Sequence, residues 1–150
     1  MHTNYAIRIL MYCNTKKKLS TIREISKFYG LSETFLAKIL VTLTRHGFID
    51  TVRGRGGGIL LAYSAKDIRI GDVVRKVEEN FELAECFQPG EKKCPLIPYC
   101  GLNEALSRAL ESFFDILNEY TLDDFTQKKH SIYQMLNISP TIDIPLNVEN

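Results

Sequence analysis

The sequence predicts a mainly α-helical fold carrying one small β-hairpin, with a long helix near its C-terminal end. Three observations predict it. Up to Gly47, apolar residues recur at helical spacing between capping residues and glycine stops. Next, alternating apolar residues flank a glycine run. Finally, the stretch from Leu102 to Tyr120 carries a continuous helical apolar stripe of Leu102, Ala105, Leu106, Ala109, Phe113, Ile116, Leu117 and Tyr120. A chain of 150 residues that is 45% hydrophobic supplies one compact core with an element attached.

In the first helix Ala6, Ile9, Leu10 and Cys13 share one face and Arg8 the other, and Lys16 to Lys18 end it in a basic turn. Thr21 with Glu24 three residues on is a capping box. It opens a short second helix with Ile22, Ile25 and Tyr29 inward, closed by Gly30. Ser32 is the N-cap of a third helix in which Leu36, Ile39, Leu40 and Leu43 face inward and Gly47 is the stop. Two short helices around a turn containing Gly30 are the sequence form of a helix-turn-helix, whose second helix enters the major groove of DNA N-terminus first. The residues placed to reach DNA there are Ser32, Thr34, Phe35 and Lys38, with Ala37 beside them. Hydroxyl and ammonium groups hydrogen-bond bases or phosphates, whereas Phe35 and Ala37 offer only apolar contact.

Residues 48–62 read as a hairpin with a glycine-rich, flexible tip bearing Arg53 and Arg55. No Lys-Ser or Lys-Thr pair follows the glycines, which argues against a phosphate-cradling nucleotide loop. A basic hairpin tip suits the minor groove, so the fold class becomes a winged helix-turn-helix with a DNA-binding role. Asp72 is read as the cap of a fourth helix burying Val73, Val74 and Val77, and Phe81 as an anchor before a cysteine-bearing loop.

That loop sets Cys86, Cys94 and Cys100 in a C-x7-C-x5-C pattern, among Pro89, Gly90, Pro95 and Pro98 that forbid a continuous helix or strand. Three thiolates suit zinc, copper(I) or an iron-sulfur cluster and leave a fourth position open. The usual short Cys pairs of zinc sites and the tight runs of ferredoxins are missing, so spacing selects no metal, and inert or reversibly paired thiols stay open. Cys13, on an apolar helix face, reads as core.

The long stripe spans about five turns, roughly 28 Å, and needs a partner for its apolar face; a second copy of the same helix is the natural one. Thr121 and Asp124 suggest a further capped turn with Leu122 and Phe125 buried, residues 132–136 a short helical piece, and the end a loose tail. The expected organisation is 1–80 DNA-binding, 81–101 cysteine loop, 102–136 dimerisation helix and helical segment, and 137–150 tail. Residues 1–69 hold 12 Lys and Arg against 4 Asp and Glu, whereas residues 70–150 hold 7 against 14. The front half therefore faces a polyanion. No secretory signal or membrane-length apolar run is visible, which predicts a reducing cytoplasmic setting and no membrane partner. No Ser-His-Asp, Cys-His or paired-carboxylate constellation argues for an enzyme.

This order of elements resembles the Rrf2 family of bacterial iron-sulfur repressors over nearly the whole chain, from Thr3 to about Leu136. Leu36 to Leu43, the Val52-Arg-Gly-Arg-Gly-Gly-Gly wing and the three cysteines carry the resemblance. Within the family, Thr-Asn-Tyr-Ala at Thr3, Thr-Val-Arg-Gly-Arg at Thr51, Ala-Glu-Cys-Phe at Ala84 and Tyr-Thr-Leu-Asp-Asp at Tyr120 are similar to the RirA group of iron-responsive regulators. The resemblance implies a homodimer on a double-stranded DNA operator, repressing iron-uptake genes. It also implies a labile 4Fe-4S cluster on Cys86, Cys94 and Cys100 that degrades to 2Fe-2S or is lost on purification. In nitric oxide sensors of the family an aspartate of the partner subunit completes the cluster; Asn4 stands there in this chain. A nitric oxide or redox sensing repressor, an iron-sulfur electron carrier and a zinc-stabilised adaptor are the competing readings.

Overall fold

The computed structural model describes residues 2–78, 80–87 and 94–126. Helix α1 (Thr3–Lys16) buries Ala6, Ile9, Leu10 and Cys13, and stops where Lys17 turns left-handed and donates its N–H to the Cys13 carbonyl. Helix α2 (Ile22–Tyr29) starts on the expected capping box: the Glu24 N–H donates to Thr21 Oγ1 at 3.2 Å and the Thr21 N–H to Glu24 Oε2 at 2.7 Å. Lys16 Nζ lies 2.8 Å from the same carboxylate. The Lys16 ammonium, then the Thr21 N–H, hold the Glu24 carboxyl below the usual range. A depressed carboxyl stabilises the fold above its unfolded pKa, and that contribution is lost as pH falls through the folded value. Glu24→Gln is accordingly expected to lose less stability on acidification than wild type; matching acid-side slopes in thermal melts would remove this role from Glu24.

Helix α3 (Glu33–Arg45) is capped by Ser32, whose Oγ accepts from the Phe35 N–H at 3.1 Å, and it buries Leu36, Ile39, Leu40 and Leu43 as expected. These side chains meet α1 and Ile25 of α2 in the core. Strands β1 (Ile49–Val52) and β2 (Gly58–Leu61) pair antiparallel, with Ile49 opposite Leu61 and Val52 opposite Gly58. Ile59 also exchanges two backbone hydrogen bonds with Ser20, at 2.9 and 2.7 Å, so the hairpin is stapled to the turn between α1 and α2.

The staple explains Gly58. A Cβ there would stand 2.8 Å from the Ser20 carbonyl oxygen and 3.2 Å from Leu19 Cβ. The glycine run is thus more than a flexible tip: at its end, close backbone approach excludes a side chain. Gly58→Ala is expected to cost about 1–3 kcal/mol, the usual penalty for overpacking. Urea unfolding checks it, and an unchanged midpoint would show that the turn gives way freely.

Helix α4 (Ile70–Val77) buries Val73, Val74 and Val77, but its N-cap is Arg69 rather than Asp72. The chain arrives there in an extended bridge to Thr121: the Ile70 N–H donates to the Tyr120 carbonyl and the Leu122 N–H to the Ile68 carbonyl. That bridge fixes the helix start, leaving Asp72 in the first turn, where its charge suits the helix dipole. Helix α5 (Gly101–Asn118) crosses α4 at Gly71, where a Cβ would fall 2.3 Å from Asn118 Oδ1 and 2.9 Å from the Phe114 carbonyl oxygen. Phe114 is the buried side chain of α5, with Phe81 edge-on at 4.9 Å and the Arg75 guanidinium 3.8 Å above its ring. Phe81 is therefore the anchor expected of it.

Much of the apolar stripe read along α5 remains open: Leu102 is 64% exposed and Ile116 57%. Helix α6 (Leu122–Phe125) has the expected Thr121–Asp124 capping box and buries Leu122. Phe125, expected in the core, is instead 37% exposed, because it lies against the Tyr120 ring in the wall of an open groove that no other described element covers. The readings for residues 132–136 and 137–150 fall outside the described residues. Among those described, no helix is long and apolar enough to cross a membrane.

Candidate nucleic-acid interface and cysteine segment

The outer face of α3 carries Thr34, Lys38, Val41 and Arg45, all exposed. Spacings of four, three and four residues set them on one stripe, because 3.6 residues complete a turn. Ser32 is exposed at its head with its Oγ lone pair engaged in the cap; a hydroxyl so used still has its hydrogen to donate. Phe35 is half-buried rather than free, edge-to-face on Tyr5 with ring centroids 5.0 Å apart and His2 nearby. The ring thereby fixes α3 against α1.

Val41 went unnoticed in the sequence, where a valine in a helical apolar pattern passes as core. It is 57% exposed. The wing brings Arg53 and Arg55 to the turn between β1 and β2, both exposed. Behind this surface, α1 and α2 are locked by aromatic packing. The Arg8 guanidinium sits over the rings of Tyr5 and Tyr29, and Tyr29 donates its hydroxyl to the Arg8 carbonyl at 2.9 Å. Burial pushes the Tyr29 phenol up to about 12, so it stays a neutral donor.

The cysteines divide as chemistry requires. All four are free thiols. Cys13 is buried in the core, and burial pushes its thiol up to about 12; it is inert packing, as expected. Cys94 is exposed and Cys86 and Cys100 are partly so. Cys86 lies in a 3-10 turn, Glu85–Phe87, and its Sγ accepts a hydrogen bond from Asn103 Nδ2 at 3.1 Å. Cys100 is the N-cap of α5 without using its side chain for the cap. The first turn of α5 thus holds Asn103 against Cys86 and follows directly on Cys100.

The three thiols do not form a ready-made ligand set. Among the described residues, no three or more His, Cys, Asp or Glu side chains converge on one point. The donor chemistry still fits a thiophilic centre: three accessible sulfurs outside the core and outside any disulfide, one of them receiving an amide N–H. Exposed apolar side chains surround this segment, with Leu96 66% and Tyr99 95% exposed. Asn4 lies elsewhere, in the wall of an open groove of about 450 Å³ formed by Ile7, Val74, Phe113, Leu117 and Phe125.

A family model for Rrf2, described as an iron-dependent transcriptional regulator, matches residues 1–128. The chain belongs to the Rrf2 family. Curated relatives match the chain along most of their length. "Protein aau3" of Rhizobium meliloti is 49% identical over 141 residues, spanning 93% of this chain and 92% of that protein. The HTH-type transcriptional regulator NsrR of Bacillus subtilis is 37% identical over 139 residues, spanning 91% and 95%. Among solved structures, this Rrf2 chain is similar to CymR, the global cysteine regulator of B. subtilis, with a TM-score of 0.66 and 22% identity, covering 85% of this chain and 95% of that one. It is also similar to T. potens IscR, with a TM-score of 0.69 and 22% identity, covering 88% of each. At such identities the likeness concerns fold, and it bears out the mainly helical, winged architecture.

Proposed function

We propose that this Rrf2 protein is a homodimeric, cytoplasmic DNA-binding repressor of iron-uptake genes, of the iron-responsive RirA kind, sensing iron through a labile iron-sulfur cluster on Cys86, Cys94 and Cys100. The observation that carries the reading is the pairing of two surfaces on one chain: a basic, hydroxyl-bearing stripe with an arginine wing, and three accessible thiols at the head of α5. Thr34, Lys38 and Ser32 serve the major groove and its phosphates, and Arg53 and Arg55 the minor groove. The exposed stripe of α5 and the groove beside α4 serve the second copy. A bound cluster would supply a thiolate-held, iron-dependent crosslink within the cysteine segment.

The chain's own packing relates that segment to DNA. Asn103 and Cys100 stand at the head of α5; Phe114 and Gly71 join α5 to α4; α4 packs on α1, and α1 on α3. Two recognition helices of a dimer read half-sites only at a separation of about 34 Å, one DNA turn, so a shift at α5 changes operator affinity. Couplings of this type amount to about 1–3 kcal/mol, roughly 5- to 150-fold. Anaerobic purification with an absorption spectrum and iron and sulfide assays, followed by DNA shift assays with and without chelator, tests the reading. Colourless protein, or operator binding indifferent to iron removal, sinks it. A nitric oxide or redox sensing repressor is the second reading, supported by the resemblance to the nitric oxide sensors of the family; it requires nitric oxide, at constant iron, to release the operator.

Val41 adds a specificity element. An exposed valine on the groove-facing stripe suits the thymine 5-methyl group. Val41→Ala is expected to weaken operator binding by about 1 kcal/mol. Replacing contacted thymines by uracil should weaken wild type by a similar amount and leave the variant unaffected; a wild type indifferent to every such replacement would count against the contact.

A further inference from the structure

The hydrogen bond from Asn103 to Cys86 joins the 3-10 turn at Glu85–Phe87 to the head of α5 across 17 residues of sequence. Cys86 Sγ is outside the core, in a 3-10 turn that buries no residue. Asn103 sits in the first turn of α5, partly buried, and commits an amide N–H to sulfur at 3.1 Å, while the α5 cap makes no use of a side chain. A carboxamide that directs an N–H at a sulfur stabilises negative charge there, and hydrogen bonds to ligand sulfurs are a principal means by which proteins set the reduction potential of an iron-sulfur centre.

We infer that Asn103 is a positioning residue for the sensory centre: its amide orients Cys86 and tunes the redox equilibrium of whatever thiophilic group that sulfur helps hold. The inference rests on the cluster reading above. It adds that the long helix is connected to the ligand cysteines at two points, Cys100 through the backbone and Cys86 through this side chain. Reduction places an additional electron on a cluster and its ligand sulfurs, so the donor favours the reduced form. Loss of the donor should leave the cluster harder to reduce.

The test compares wild type, Asn103→Leu and Asn103→Gln, prepared anaerobically as full-length chains. Iron and sulfide content is measured first, then dye-mediated redox titration with dithionite as the external one-electron reductant, then iron release to a chelator. Asn103→Leu keeps the side-chain size and removes the donor. It is expected to shift the reduction equilibrium about tenfold toward the oxidised form, about 59 mV lower for one electron, and to release iron faster, with the apo-protein melting as wild type does. Asn103→Gln, which keeps an amide, should recover part of the shift. If Asn103→Leu fails to load where wild type loads, recovery of loading by Asn103→Gln supports the amide as the agent, and failure of both variants overturns it. A loaded Asn103→Leu with unchanged potential and iron release overturns the role of Asn103 while the cluster reading stands. A wild type that never acquires iron and sulfide overturns both.

Discussion

Cys94→Ala, prepared without oxygen, is expected to be colourless and free of iron and sulfide, yet to remain a folded dimer that no longer changes its operator affinity when iron is added or withdrawn. The expectation follows from where Cys94 lies. Its side chain is exposed and outside the core, so truncating it removes little buried area and leaves no core group unsatisfied. Its sulfur is one of only three accessible thiols, and a centre held by three ligands does not survive on two. Stability and sensing are thereby separated within one variant. Size-exclusion chromatography, thermal melts and iron assays read the three parts, and a variant retaining full iron-dependent repression would refute the ligand assignment. Cys13→Ala is the contrasting control, because Cys13 is core and neutral: stability should fall and iron content should not.

Arg53→Ala is expected to weaken operator binding by about 1–3 kcal/mol, roughly 5- to 150-fold, and to do so even at low salt. The side chain is exposed at the exit of β1, and the wing below it is held rigid by the Ser20–Ile59 bonds. A guanidinium presented on a narrow, fixed hairpin enters a minor groove with little conformational entropy left to lose, and AT-rich sequence deepens the negative potential it meets. Lys38→Ala differs in kind. As a phosphate contact it should weaken all sequences alike and reduce the salt slope by about one. Equal affinity in wild type and Arg53→Ala would argue against wing insertion.

Much of this protein is legible in local sequence. Caps at Thr21, Ser32 and Thr121, stops at Gly30 and Gly47, and the wing at residues 48–62 all stand where short-range patterns put them. Caps and hairpins are closed by hydrogen bonds between residues a few positions apart, so the residues that make them are read together. The start of α4 escaped that logic because its first residues answer to Thr121, far along the chain. Phe114 was passed over beside Phe113 for a similar reason. Adjacent phenylalanines lie about 100° apart on a helix, and only the position of α4 decides which one is covered.

The chain by itself determined the helix count of the front half, the wing and its arginines, and the separation of one core cysteine from three in a loop, since each depends on spacing or residue type alone. Tertiary structure alone decided that Gly58 and Gly71 stand at close backbone approaches, that Val41 faces outward, that Phe35 braces α1, and that Asn103 holds Cys86. Each of those depends on atoms contributed from elsewhere in the chain, and linear spacing carries no record of which surfaces meet.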